Sequence, residues 1–252
     1  MANSLSWNNI QIKDHTLAAK ELGLIKDEVA RYIGSNKDVY EKDVVDLVIR
    51  SYKKHGLIND EKKEQCIAAF RENTSQVHYF AKGKGKKIQS GSLILLDIWA
   101  RLDKNNSPYA DMTWMFFVGK KIPNEIKQKW SILSKARDTA VSYIKKEIRK
   151  GKMPRGLDID RVSHDIIGDA SFGNSIRHTI GHSLGLKHPH GDIPGINWRE
   201  YSPIIKNVGY TIEPGMYFKD IGMRTEIDFY ISDQKKIVVT TPIQKDIDII
   251  NI

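Results

Sequence analysis

A carboxylate lies at the centre of a compact apolar run, Leu93-Ile94-Leu95-Leu96-Asp97-Ile98-Trp99. With hydrophobic side chains on both parities, this run reads as a strand buried on both faces. A lone aspartate there carries a desolvation cost of roughly several kcal/mol unless it is paired or binds a metal. A second apolar run, Met112 to Val118, follows directly on Asp111. Between them stand Asp103, Asn105, Asn106, Ser107 and Pro108, all turn formers, so the two runs are expected to be arms of a hairpin. Hairpin pairing would bring Asp97 and Asp111 to one side of the sheet. A turn aspartate bonding its own backbone suits Asp103, suits Asp111 in part, and suits Asp97 badly.

Helical spacing precedes the hairpin. Leu17, Ala18, Leu22, Leu24, Val29 and Ile33 follow Asp14, then Val44, Val45, Leu47, Val48 and Tyr52 recur up to Gly56. A third, shorter helix is expected from Asp60 to Arg71. The order then repeats. Pro123 opens a long helix whose stripe is Ile126, Trp130, Leu133, Ala140, Ile144 and Ile148, closed by Gly151, and a shorter helix follows from about Asp158 to Ala170. Strands are expected at Arg177 to Ile180, Tyr210 to Glu213, Gly222 to Ser232 and Lys236 to Thr241. Helices followed by antiparallel strands, twice over, imply an α+β plan: a curved antiparallel sheet backed by helices. No long linker interrupts it, so one domain, 1–252, is the simplest division.

The second half also sinks charge into strands. Thr211-Ile212-Glu213-Pro214 ends an apolar strand with a glutamate, where proline stops the pairing. Met223 to Tyr230 alternates, which puts Arg224, Glu226, Asp228 and Tyr230 on one face; taken alone, that face is equally well a solvated one held by an Arg–Glu pair. Four of the eight histidines, His178, His182, His188 and His190, fall within thirteen positions. Gly181 and Gly185 let the backbone pack closely around His182. Four carboxylates with one imidazole and no sulfur suit manganese, iron(II), cobalt or zinc. Their charge matches two dications better than one. Metals about 3.5–4 Å apart can share a hydroxide that attacks a carbonyl, so the chemistry points to hydrolysis.

Composition excludes several alternatives. No apolar run approaches the roughly 20 residues that span a bilayer, and Met1 to Asp14 is too polar for a secretory signal. Cys66 is the only cysteine, so there is no internal disulfide; set among Ile67, Ala68 and Phe70 it reads as core filler. A reducing, cytoplasmic setting fits. The formal charge of +9 is scattered over Lys82 to Lys87, Lys145 to Arg155, and Lys235 with Lys236. No aromatics interleave these clusters, so they read as a solvated surface rather than a nucleic-acid footprint.

Five motifs in this order resemble the pita-bread metallopeptidases (methionine aminopeptidase, prolidase, Xaa-Pro aminopeptidase and creatinase). They are Leu95-Leu96-Asp97-Ile98, Tyr109-Ala110-Asp111-Met112-Thr113, Gly181-His182-Ser183-Leu184-Gly185, Ile212-Glu213-Pro214-Gly215-Met216-Tyr217 and Arg224-Thr225-Glu226. The resemblance implies a pita-bread fold with a pseudo-twofold repeat. It also implies two divalent ions, Mn2+ foremost with Co2+, Fe2+ or Zn2+ as alternatives, on Asp97, Asp111, His182, Glu213 and Glu226. Glu213 would double as general acid/base toward a metal-bridging hydroxide. His78, His178 and His190 fall on active-site histidine positions; Arg224 would support the bridging Glu226, with Thr113 behind it. The implied substrates are peptides with a free amino terminus, cleaved by a monomer or homodimer. Glu213-Pro214-Gly215-Met216-Tyr217, Arg224-Thr225-Glu226 and His178 favour the Xaa-Pro branch.

The chain departs from the family pattern in three places. Asp111 follows Asp97 by fourteen residues, a wider gap than the family's, which the turn-rich segment 103–108 can absorb. Position 189 is proline, so the last substrate histidine is His190 or His188, with His190 preferred. No separate amino-terminal domain is expected. Two other functions stay open: a methionine aminopeptidase on the same site, and a non-catalytic pita-bread module binding RNA or protein. Against the second stands the mutual repulsion of four carboxylates without metal.

Overall fold

The computed structural model describes residues 5–60 and 65–252. Helix α1 (Asn9–Ser35) starts ahead of Asp14 because Asn8 caps it: the Asn8 side chain accepts from Ile10 and Gln11, and Gln11 bonds back to the Asn8 backbone. Such a reciprocal cap satisfies N–H groups that a first turn leaves without partners. Ala18, Leu22, Ile25, Val29 and Ile33 form its buried stripe, and α2 (Glu41–Lys54) buries Val44, Val48 and Tyr52.

The chain continues through β1 (Leu57–Ile58) and β2 (Cys66–Phe70). Strand β2 replaces the helix expected from Asp60 to Arg71. Its five residues are all buried, with Cys66 opposite Ile98 and Phe70 opposite Ile94 of the next strand. A short apolar run carries no period that separates strand from helix, and pairing decides the outcome. Residues 61–64 of that expected helix lie outside the described residues. Cys66 is core, as expected, and burial pushes its thiol well up, away from the reactive thiolate.

Strands β3 (Leu93–Leu102) and β4 (Tyr109–Val118) form the expected hairpin. Its register is unbroken from Leu93 opposite Phe117 to Arg101 opposite Tyr109. The wide spacing of Asp97 and Asp111 therefore leaves no bulge; the connection 103–108 takes it up. Asp97 faces Thr113 and Trp99 faces Asp111, so all four share a face. Alternate residues of β3 serve two cores. Ile94, Leu96 and Ile98 pack with α1 and α2, whereas Leu95 and Trp99 join Met115, Phe117 and Trp130 on the side where Asp97 points.

Helices α3 (Asn124–Arg149) and α4 (Gly156–Asp169) open the second half. Ala140, Ile144 and Ile148 of α3 pack on Tyr210, Ile212, Phe229 and Ile231. These residues belong to β5 (Tyr210–Ile212) and β8 (Ile227–Ile231), which with β9 (Ile237–Val239) make a three-stranded sheet. Between them β6 (Gly215–Tyr217) and β7 (Gly222–Arg224) pair as a ribbon. Strand β10 (Asp248–Ile250) returns to the first sheet and runs parallel to β4, so that sheet is not wholly antiparallel.

Two expected strands differ. Arg177 to Ile180 is loop; the neighbouring chain is held by the single bridges Gly181–Ile196 and Ser183–Tyr210 instead. Gly222 to Ser232 is two strands, not one. Arg224 pairs with Gly215 and Ile227 with Ile212, so the chain changes partner at Thr225-Glu226, where Thr225 accepts a 2.8 Å bond from Arg137 of α3. Arg224, Glu226 and Asp228 are all buried, which removes the solvated-face alternative. Among the described residues no helix is long and apolar enough to cross a membrane.

Candidate active site

A cavity of about 430 Å3 opens where the two halves meet. The β3–β4 hairpin contributes Asp97, Trp99 and Asp111, and the loop after α4 contributes His178, His182 and His190. Glu213 enters from the end of β5, and Glu226 from the break between β7 and β8. Of the candidate site residues, Thr113 and His188 are not in the wall, and Thr113 bonds to two that are. A larger groove of about 950 Å3 runs along α3 but contains no histidine and none of these residues.

His182 is held by its backbone. Its N–H donates to Thr211 Oγ1 (3.0 Å), and its carbonyl accepts from the Thr211 N–H (2.9 Å). This approach needs glycine next door, since a Cβ on Gly181 would come within 2.2 Å of the Thr211 carbonyl oxygen. His182 Nδ1 lies 2.9 Å from the Ser183 carbonyl. A carbonyl only accepts, so Nδ1 carries the proton and Nε2 turns its lone pair inward. Nε2 is 3.7 Å from Asp111 Oδ2 and 3.5 Å from Glu213 Oε1. Burial lowers the His182 pKa to about 3, so the ring is neutral at physiological pH. One ligand-type atom from each of Asp111, His182 and Glu226 lies within 4.8 Å of the others.

Burial pushes the Asp111 and Glu226 carboxyls well above their ordinary range, and the neighbouring carboxylates push the same way. Glu213 is raised to about 7, by burial first. Asp97 is also raised by burial, opposed by the Arg224 guanidinium. Asp111 Oδ1 is buried with no hydrogen-bond partner among the described residues. Clustered acids, a neutral imidazole lone pair and an orphaned oxygen fit a divalent cation, whose charge would relieve this crowding.

Arg224 has a partner beyond the one expected of it. Its guanidinium pairs directly with Asp97, while its Nε donates to Thr113 Oγ1 (2.9 Å), whose hydroxyl donates to Glu226 Oε2 (2.8 Å). The arginine thus pairs with Asp97 and is hydrogen-bonded to Glu226 through Thr113. His178 Nδ1 lies 2.7 Å from the Thr179 carbonyl, and Nε2 lies 2.9 Å from the Tyr217 hydroxyl, which is also 3.4 Å from Arg224. His190 stacks on His182 with centroids 3.9 Å apart and lines the cavity, whereas His188 is not in its wall. His78 is exposed at the rim.

Two residues near the site were not assigned to it from sequence. Tyr217 lay in a quoted motif without a role. Asp228 is fully buried; its Oδ2 accepts from the Asp111 N–H (2.8 Å), and its own N–H donates to Thr241. Alternation past Glu226 did place Asp228 on a charged face, but its contact with Asp111 depends on strand β8 packing beside β4.

Two helix-then-strand halves around a cavity of carboxylates and histidine define the α+β class with the pita-bread fold. Residues 18–233 match the model of metallopeptidase family M24, and the chain belongs to that family. An uncharacterized peptidase of Staphylococcus epidermidis is 27% identical over 238 residues, covering 92% of this chain. This chain spans 62% of that protein's length. Two solved structures share the fold. The dipeptidase PepE of Mycobacterium ulcerans superposes with a TM-score of 0.83 at 17% identity, covering 99% of this chain and 62% of its own. The X-Pro aminopeptidase of Thermotoga maritima gives 0.80 at 23%, covering 97% and 64%.

Proposed function

We propose that this protein is a metal-dependent peptidase that removes a residue from the amino end of a peptide, with preference for a bond preceding proline. The observation that carries this reading is the convergence of Asp111, His182 and Glu226, with Glu213 beside His182, in one cavity. Asp97, Asp111, His182, Glu213 and Glu226 would hold two divalent ions, Mn2+ foremost with Co2+, Fe2+ or Zn2+ as alternatives. Bound there, such ions supply an acidified water and polarise a carbonyl. Residues 1–252 would act as one catalytic domain, as a monomer or homodimer.

The chain's own groups supply the rest. Glu213, beside His182 in the cavity, would take the proton of the attacking water and return it to the leaving amine. His178, steadied by the Thr179 carbonyl and Tyr217, and His190, stacked on His182, would line the path of a bound peptide. His78, at the rim, would contact the peptide near the cleaved bond. The preference for proline rests on a connected set. His178, Tyr217 and Arg224, from the three segments that mark the Xaa-Pro branch, touch in series and end on Asp97. The likeness in fold to the T. maritima X-Pro aminopeptidase supports the same preference.

The test is a peptide panel with Mn2+-loaded protein. Ala-Pro-Ala should be cleaved at its first bond, and Met-Ala-Ser should be a poor substrate. Efficient turnover of Met-Ala-Ser alone would overturn the proline preference; no cleavage of either by metal-loaded protein would overturn the peptidase reading.

A further inference from the structure

Between β2 and β3 the chain leaves the sheet, and residues Val77, His78 and Phe80 of this excursion line the cavity. Apart from one 3-10 turn, Arg71–Ser75, the strap 71–87 has no helix or strand to hold it. Its anchor comes from α2. Glu41, the first residue of that helix, is fully buried, and its carboxylate is surrounded by donors from the strap and the strand before it. The Phe70 and Lys86 N–H groups donate at 2.7 Å, and the Tyr79 hydroxyl at 2.6 Å. The Asn73 amide reaches the two carboxylate oxygens at 2.9 and 3.1 Å and the Tyr79 hydroxyl at 2.8 Å. The backbone closes the same seam, with Glu41 N–H on the Lys86 carbonyl and Lys42 N–H on that of Lys84.

A glutamate at a helix start is usually solvated, with modest help from the helix dipole. Buried, it persists only when hydrogen bonds replace its water. Here those bonds come from the entry, the middle and the exit of one strap. Gly85 shows how closely they close: its φ is +68°, and a Cβ there would lie 2.3 Å from Glu41 Oε2. Lys86 pairs with Glu72 across the outer side. Glu41 itself is not in the cavity wall. Its neighbour in this network, Tyr79, is next in sequence to His78, and burial followed by Glu41 pushes the Tyr79 hydroxyl well up, so it stays a donor.

We propose that Glu41 is a positioning residue: it fixes the strap 71–87 and thereby presents His78 to the bound peptide. This rests on the peptidase reading above. Glutamine is not equivalent, because half of its head is itself a donor and would face an N–H or hydroxyl already aimed at an acceptor.

The test is a double-mutant cycle on the Mn2+-loaded protein with Ala-Pro-Ala. Glu41→Gln and His78→Ala should each lower kcat/KM by about tenfold or more with metal content unchanged, and the double variant should lose no more than about twofold beyond His78→Ala. Fully additive losses would overturn the proposal, as would a wild-type rate for Glu41→Gln. Should Glu41→Gln not fold, Tyr79→Phe removes one donor only and should show a smaller loss with the same non-additivity. Hydrogen exchange reads the strap without any activity: Glu41→Gln should speed exchange across 71–87 and leave the 93–118 hairpin unchanged. Unchanged exchange in the strap overturns the anchor. A loosened strap in a protein whose wild type cleaves neither peptide would leave the anchor standing and remove the peptidase reading.

Discussion

Stripping divalent ions and raising the pH should destabilise this protein, and Glu213 allows the size to be worked out. In the unfolded chain its carboxyl ionises near 4.5; in the fold, burial holds it neutral to about 7. A folded-state pKa above the unfolded one means stability that is complete below 4.5 and lost as pH rises through 7. The gap of about 2.5 units is worth about 3 kcal/mol at 1.36 kcal/mol per unit. That is a large share of the roughly 5–15 kcal/mol that holds a typical domain. Asp111, Glu226 and Asp228 are raised as well and pull in the same direction. Urea titrations of chelator-treated protein at pH 5 and pH 8, wild type against Glu213→Gln, isolate the residue, because glutamine does not titrate. The wild type should lose about 2.5 kcal/mol more than the variant across that interval, the rest having gone below pH 5. Added Mn2+ should stabilise more strongly at pH 8, since ligands bind metal deprotonated. Parallel profiles for the two metal-free proteins would refute the reasoning.

Glu213→Gln should also lower turnover of Ala-Pro-Ala by about 10²–10⁴-fold while retaining metal in part; steady-state kinetics beside metal analysis checks this, and a wild-type rate would remove Glu213 from proton transfer. His15 is fully buried between the Tyr109 carbonyl and the Thr240 hydroxyl, and burial lowers its pKa from 6.5 to about 4. The unfolded chain therefore binds a proton first, and about 3 kcal/mol should be lost as pH falls from 6.5 through 4, a slope that denaturant midpoints should show absent in His15→Gln. Arg224→Met leaves Asp97 buried without its counter-charge and should cost about 3–5 kcal/mol in metal-free protein. Adding Asp97→Asn should recover part of that, and a melting temperature unmoved by the single change would show the pair to be idle.

Local pattern made much of the site legible. The parity of Asp97 within β3 and of Asp111 within β4, with turn residues between them, was enough to put both carboxylates on one face. His182 stood out because glycines flank it among apolar residues. What pattern did not carry was pairing decided by distant partners. Alternation continues unbroken from Met223 to Tyr230, yet the chain changes neighbours at Thr225, whose side chain bonds to Arg137 of α3. Cys66 to Phe70 shows the same limit: five buried residues fit either period, and only β3 alongside makes them a strand. The pairing of Arg224 with Asp97, 127 positions away, escaped local pattern for a related reason; the resemblance implied only its support of Glu226.

Equilibrium dialysis of the wild type and of Asp111→Asn against Mn2+, with the ions counted afterwards, addresses the electrostatic core of the account. Wild-type protein should retain about two ions per chain, and the variant should lose at least one of them while keeping its fold. A wild type that retains none, or a variant that binds as the wild type does, would contradict the assignment of these acids to a metal centre.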